Sequence, residues 1–300
     1  MSNPDVRVLR PGDTGKPDPF TVCIVANPAL EAPIRTGQFM PDPILLDPPA
    51  FEAAVSYIHD SLFGLLPGQG EALFAEPDIE PRVRIVSLFD SDLPLQDANS
   101  LVGNDSVSNQ LIARRTVARP FLQRFGIAAD IVYCVSKSAT HDRATAWFTS
   151  DDDTAGGVPF TLDGVLLHHR FFSLIPGTIA IPASASSLTA LHEFQHALSS
   201  YSNGKIVDLY VDSEPAANCK RDRPIPVQFG TYNGTPLASD PTRNGLGYDA
   251  GWTSYHCALL KPSAPAVMDN YWRAAVPNSC ENDDITRRFL LDRLRAKISR

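Results

Sequence analysis

The sequence lacks a surplus of positive charge and lacks any long apolar run. It has 26 Lys and Arg residues against 34 Asp and Glu residues, a formal net charge of −8 over 300 residues. A nucleic-acid-binding protein needs basic side chains to neutralise phosphates, so we expect no nucleic-acid partner. No apolar run approaches the roughly 18 residues that a membrane-spanning helix requires, so we expect no membrane span.

The sequence also lacks signals for export and for several other classes of protein. Residues 1–7 contain no apolar segment of a secretory signal, so we expect a cytoplasmic protein, with export by a non-Sec route as the alternative. There is no G-x-S-x-G elbow, no P-loop and no G-x-G-x-x-G after a predicted strand, so these hydrolase and nucleotide-binding signatures are missing. The five cysteines form no C-x-x-C pair, and Cys23 and Cys134 lie in apolar runs typical of buried thiols.

What the sequence does have is enough apolar residue content, 43%, to build a core. Strand and helix patterns alternate in its first half, which predicts an α+β protein with a mixed or parallel sheet and helices packed on it. We predict three parts: a flexible N-terminal arm at 1–18, a sheet-and-helix subdomain at 19–204, and a loop-rich C-terminal subdomain at 205–300 that closes with a helix. The predicted strands are 20–26, 82–89, 130–135, 144–148, 164–173 and 177–181, and the predicted helices are 51–66, 106–125 and 283–298, besides the motif-bearing helix that follows.

One motif contains side chains that can bind a metal ion and take part in catalysis. It is His192-Glu193-Phe194-Gln195-His196, an H-E-x-x-H pattern. Ser186 and Ser187 are typical of a helix start and Asn203-Gly204 of a helix end, so the motif is predicted to lie on a helix. Histidines four residues apart share one side of a helix, as a single Zn²⁺ requires. Glu193 points about 60° away from His196, where it would act as a general base rather than a ligand. The alternative is an ordinary surface helix with two exposed histidines and a solvated glutamate.

The third zinc ligand is predicted downstream of the motif. From His196 the helix would run about 12 Å to Gly204, and four extended residues would recover roughly 13 Å of that length. Asp208 would therefore return to the level of His196, and it is our preferred ligand. The alternatives are Asp212, Glu214 and His256.

The motif resembles the active-site helix of the zincin metallopeptidases, and the preceding strand and helix alternation resembles their N-terminal subdomain. The resemblance implies a zincin-like α+β fold, with a twisted mixed sheet, a backing helix and the active-site helix. The local sequence His-Glu-Phe-x-His-Ala-Leu, followed by an aspartate, is most similar to the bacterial immunoglobulin-A-peptidase-like branch. The resemblance implies one zinc ion on His192 and His196, Glu193 as general base, and hydrolysis of peptide bonds in a peptide or protein substrate. The alternatives are a non-catalytic, zinc-stabilised binding protein and a metal-dependent hydrolase of a non-peptide amide.

Three further expectations surround the motif. Ser199 stands where the metzincin pattern has glycine, so no motif fixes the third ligand. The segment Pro265–Tyr271 either resembles the metzincin Met-turn, with Met268 as its methionine, or is an ordinary turn with a core methionine. The oxyanion of the tetrahedral intermediate needs a further donor. Gly177–Pro182 is either a free strand edge that could pair with an extended peptide or an ordinary strand of the sheet. The candidate oxyanion donors are Tyr271, His256 and Tyr255.

Overall fold

The structure is a computed structural model, and it describes most of the first half of the chain together with parts of the second. Four short strands in the second half are described by their backbone alone. The described residues are 4–13, 19–65, 72–147, 160–162, 165–167, 176–198, 231–232, 235–236, 267 and 284–298.

A six-stranded mixed sheet forms the centre of the described fold. Its four central strands run parallel, and the strand at each edge runs antiparallel to its neighbour. The parallel strands are largely buried, apolar and β-branched, as expected for strands that are covered on both faces. In spatial order the strands are β1 (Asp5–Pro11), β5 (Val83–Phe89), β2 (Phe20–Ala26), β8 (Ile131–Ser136), β12 (Gly177–Pro182) and β9 (Thr145–Trp147).

A smaller four-stranded sheet lies beside the central one. Its middle pair runs parallel and its two outer pairs run antiparallel. Two separate antiparallel pairs lie further along the chain. The small sheet has the order β4 (Phe39–Pro41), β3 (Ala29–Glu31), β6 (Val102–Asn104) and β7 (Leu111–Ala113), and the separate pairs are β10 (Phe160–Leu162) with β11 (Val165–Leu167), and β13 (Thr231–Tyr232) with β14 (Thr235–Pro236).

Four α-helices are described, and their ends follow from local sequence. In α1, Asp47 accepts a hydrogen bond from the Ala50 amide at 3.1 Å, Pro48 occupies the first turn, and Gly64 ends the helix in a left-handed conformation. The helices are α1 (Pro48–Phe63), α2 (Arg115–Gln123), α3 (Ser187–Leu198) and α4 (Asp284–Ile298). No helix in the described ranges is both long and apolar enough to cross a bilayer.

The two faces of the central sheet are covered by different elements. Alternate residues of a strand point to opposite faces, so Val22 and Ile24 of β2 lie in one core while Cys23 and Val25 lie in the other. The first core contains α1, α3 and α4. The second core contains α2 and the small sheet. Helix α3 is therefore packed on the same face of the sheet as α1 and α4.

A buried carboxylate joins the ends of two central strands. Asp42 is fully buried and accepts hydrogen bonds from the side chains of Asn27 at 2.8 Å and Ser136 at 2.5 Å. It also accepts bonds from the backbone amides of Ile44 at 3.0 Å and Lys137 at 2.9 Å. Burial raises the pKa of Asp42, while these four donors oppose that shift. The carboxylate thus fixes the chain where β2 and β8 end.

Helix α4 is held by apolar and ionic contacts. Leu290 and Leu294 are buried in the first core, as the predicted amphipathic pattern requires. Arg287 pairs with Glu76, and Arg295 Nε donates to Asp78 Oδ2 at 2.7 Å. The C-terminal helix is therefore tied to the segment that follows α1 as well as to the core.

The predicted strands 20–26, 82–89 and 130–135 and the predicted helix 51–66 are confirmed to within a few residues. Two predictions are wrong. Residues 5–11 lie within the segment predicted to be a loose arm, but they form β1 because their backbone pairs with β5. Residues 106–125 are not one helix, since Leu111–Ala113 pairs with β6 and only Arg115–Gln123 is helical. Side-chain periodicity did not reveal either backbone pairing.

Of the two alternatives for Gly177–Pro182, the free strand edge is excluded. The strand β12 pairs with β8 on one side and with β9 on the other, so it lies inside the sheet. Its residues are all buried. The ordinary-strand alternative is therefore correct, and the edge of the sheet on this side is β9 (Thr145–Trp147).

Candidate metal centre

The helix that carries the H-E-x-x-H motif begins where the sequence predicts. Ser186 Oγ accepts a hydrogen bond from the amide of Thr189 at 3.1 Å, and the Ser186 carbonyl accepts one from Ala190 at 3.1 Å. A serine hydroxyl in this place satisfies a backbone donor of the first helical turn. The described helix runs over Ser187–Leu198, and the predicted continuation to residue 204 lies outside the described residues.

Two close contacts seat α3 on the central sheet. Tyr133 Oη, from β8, donates a hydrogen bond to the Ala190 carbonyl at 2.9 Å. At the other end of the helix, an added Cβ at Gly177 of β12 would lie only 2.4 Å from the Ala197 carbonyl oxygen. Ala190 and Ala197 are seven residues apart and fully buried, so small side chains let the helix backbone approach the sheet closely.

The imidazole rings of His192 and His196 lie side by side. Their centroids are 4.9 Å apart, and their planes meet at 83°. His192 is only 2% exposed, whereas His196 is half-buried. A deeply buried imidazole is not the exposed histidine of an ordinary surface helix, so the surface alternative does not describe His192. Two adjacent imidazole rings, one buried and one half-buried, are a suitable source of ligands for a divalent metal ion.

A backbone carbonyl sets the orientation of the His192 ring. Nδ1 of His192 lies 2.7 Å from the Val267 carbonyl oxygen. A carbonyl can only accept, so Nδ1 carries the hydrogen and, in the neutral ring, Nε2 carries the lone pair. A hydrogen bond of this kind to the other ring nitrogen is typical of metal-binding histidines. Val267 belongs to the segment Pro265–Tyr271, so this segment contacts the motif, although its other residues lie outside the described ones.

Glu193, which follows His192 in the helix, is also buried. Its exposed fraction is 7%, which is low for a carboxylate. Burial raises the pKa of Tyr133 well above its ordinary value, and the nearby charges of Tyr57 and Glu193 raise it further. A glutamate with so little exposed surface is not a solvated charge, so the solvated-glutamate alternative does not describe Glu193.

The remaining predicted site residues are not placed. Asp208, the preferred third ligand, lies outside the described residues, and so do the oxyanion candidates Tyr255 and Tyr271 and the Met-turn candidate Met268. No group of three or more His, Cys, Asp or Glu side chains suited to a metal occurs in the described part of the chain. The alternative ligands Asp212, Glu214 and His256 also lie outside it.

Sequence reasoning missed two participants in this region. Tyr133 left a weak signal in the sequence. Its side chain ends in a hydroxyl group, whereas its neighbours in the strand Ile131–Ser136 are apolar up to Ser136. Val267 left none, because it acts through its backbone carbonyl, which every residue has. A contact of that kind is visible only in three dimensions.

The chain was compared with models of protein families, with curated proteins and with solved structures, and none of the three comparisons gave a match.

Proposed function

We propose that this protein is a zinc-dependent metallopeptidase in which His192 and His196 bind the metal and Glu193 is the general base. The observation that carries the proposal is the pair of adjacent imidazoles, of which the buried one, His192, is oriented by the Val267 carbonyl. Glu193 is buried beside that pair. A structural zinc site would need no such carboxylate, because protein ligands usually close all four of its positions.

The residues fit a zinc ion in the chemistry of their donors. Imidazole nitrogen is a preferred zinc ligand, and the hydrogen bond from His192 Nδ1 leaves Nε2 as the donor atom. Asp208 would complete the protein ligands, with Asp212, Glu214 and His256 as alternatives. When bound, the ion would supply Lewis acidity, which lowers the pKa of water and polarises a substrate carbonyl.

Glu193 would perform the proton transfers. Its carboxylate would accept a proton from the attacking water and then deliver that proton to the leaving amine. Its burial supports a place inside the site rather than on the protein surface. Tyr271 and His256 would stabilise the oxyanion, with Tyr255 as an alternative. The substrate would be a peptide or a protein, and the location of the protein would be cytoplasmic.

The metal is tested first, by measuring the zinc content of the purified protein and of two histidine variants. We expect about one zinc ion per chain, lost in His192→Ala and His196→Ala because each removes a ligand. His141→Ala is the matched control, because His141 is a histidine distant in sequence that contacts the Asp105 carbonyl and lies outside α3. Equal zinc contents in all of these proteins would contradict the assignment of the ligands.

Catalysis is tested second, by digestion of casein and of a peptide library with and without a chelator. Glu193→Gln should keep the zinc ion and lose hydrolysis, because an amide cannot accept the proton. Glu80→Gln, on a separate 3-10 helix, is the control and should hydrolyse like the unchanged protein. Zinc binding without hydrolysis of any peptide would favour the non-catalytic binding protein, and cleavage of small amides alone would favour the non-peptide hydrolase.

A further inference from the structure

Tyr133 places a hydroxyl group in the middle of an apolar core. It is fully buried in the strand β8, and the sheet register sets it beside Ile24 of β2 and Ile179 of β12. Its hydroxyl donates to the Ala190 carbonyl of α3 at 2.9 Å. A central strand thereby makes a polar contact with the helix that carries the motif.

The hydroxyl is not needed to fill space. Phenylalanine has nearly the same shape and would avoid removing a polar group from water, which is unfavourable unless the group is hydrogen-bonded. At Tyr133 the bond to Ala190 offsets that cost, and it also restricts where the helix can lie. An apolar contact would tolerate sliding of the helix by a fraction of an ångström, whereas a hydrogen bond at 2.9 Å has a narrow range of distance and direction.

The contact lies just before the residues of the proposed site. Ala190 precedes His192 by two residues and Glu193 by three, which is about 3 Å and 4.5 Å along the helix axis. At the far end, the close approach of Gly177 to Ala197 seats the last turn. The motif is therefore bracketed by two points at which α3 is fixed to the sheet.

We propose that Tyr133 is a positioning residue, which sets the height and rotation of α3 and thereby the place of His192 and Glu193 relative to the sheet and to the Val267 carbonyl that orients His192. The role of Glu193 in this statement rests on the proposed function. The positioning of the helix itself does not. The experiment below therefore measures both.

The test compares Tyr133→Phe with Tyr57→Phe. Tyr57, on α1, also donates its hydroxyl to a backbone carbonyl of the first core, that of Pro182 at 3.0 Å, but Pro182 lies at the end of β12 and not in α3. Each variant loses one tyrosine hydroxyl and one hydrogen bond to a carbonyl. The pair thus separates a general loss of stability from a loss of helix position.

Two readouts are expected to differ between the variants. Amide hydrogen exchange measured by mass spectrometry should rise over residues 187–198 in Tyr133→Phe by about tenfold, and much less in Tyr57→Phe. With the zinc-loaded protein, kcat should fall about tenfold in Tyr133→Phe with KM nearly unchanged, because a small displacement of the helix moves the base and slows proton transfer. Tyr57→Phe should keep its kcat.

The outcomes are separable. Equal hydrogen exchange over α3 in the two variants would overturn the proposal whatever the protein catalyses. Faster exchange in Tyr133→Phe with an unchanged kcat would overturn the link to Glu193. Faster exchange in a protein that binds no zinc and cleaves no peptide would support the positioning of the helix while refuting the proposed function.

Discussion

Gly177 is the residue at which β12 comes closest to α3, and the Gly177→Ala variant adds one methyl group at that point. The new Cβ would lie 2.4 Å from the Ala197 carbonyl oxygen and 2.6 Å from Ile131 Cδ1. Real Cβ atoms essentially never lie within 3.0 Å of another heavy atom of this kind, so the helix backbone would have to retreat by at least about 0.6 Å.

The displacement is large on the scale of a metal site. Ala197 follows His196 directly, so a retreat of the last turn moves the backbone of a proposed ligand by a similar amount. Metal-ligand distances tolerate only about 0.2 Å, and supporting changes of this kind lower metal affinity by about tenfold to a hundredfold. Overpacking of the core should also lower the free energy of unfolding by about 1–3 kcal/mol.

Gly103→Ala is the matched control for this variant. Its added Cβ would lie 2.7 Å from the Cγ1 atom of Ile34, so the crowding is comparable, but Gly103 lies on β6 of the small sheet. Zinc affinity is measured by competition with a fluorescent chelator, and stability by urea denaturation. We expect both variants to lose stability and only Gly177→Ala to lose zinc affinity.

One result would refute the reasoning behind this prediction. If Gly177→Ala binds zinc as tightly as the unchanged protein while losing as much stability as Gly103→Ala, the last turn of α3 is not what places His196. If Gly177→Ala and Gly103→Ala lose the same zinc affinity, metal binding follows the global stability of the protein instead.

Two further predictions concern the core. Asp42→Ala leaves four hydrogen-bond donors without their acceptor, so we expect the free energy of unfolding to fall by about 3 kcal/mol or more in urea denaturation, and a loss below about 1 kcal/mol would contradict the account of this carboxylate. Burial raises the pKa of Tyr57 and of Tyr133 above the ordinary value of about 10. A tyrosine whose pKa is raised in the folded state makes a contribution to the free energy of unfolding that is present below about pH 10 and is lost as the pH rises further. The free energy of unfolding should therefore decline above about pH 10, and it should decline less steeply in a Tyr57→Phe, Tyr133→Phe double variant. The ionisation of the tyrosines is measured by spectroscopic titration of the folded protein. If all of them ionised near their ordinary pKa, the result would contradict this prediction.

The sequence predicted best the elements whose ends carry strong local signals. Helix α1 has an aspartate cap, a proline in its first turn and a glycine after its last turn, and its predicted inward residues Phe51, Ile58 and Leu62 are buried. The start of the motif helix was predicted from Ser186 and Ser187, and Ser186 does cap it. In both cases the information lies within a few residues of the element.

The sequence failed where backbone pairing decided the structure. The strand β7 was predicted to be helical because Leu111 and Ile112 fit a helical spacing, yet its hydrogen bonds go to β6. The placement of β12 between two neighbours depends on residues 131–136 and 145–147, which no local pattern connects to it. The Val267 carbonyl at His192 is hidden for the same reason, since a backbone atom leaves no mark on the sequence.

The packing of α4 has a consequence for the order in which the protein folds. Its leucines Leu290 and Leu294 share a core with Leu191 and Phe194 of α3, yet they are translated long after them. Until the ribosome has released α4, one flank of the histidine-bearing helix keeps exposed the apolar surface that this later segment covers. The emerging chain should therefore pass through a stage in which chaperones find a binding surface there, and the finished protein should not.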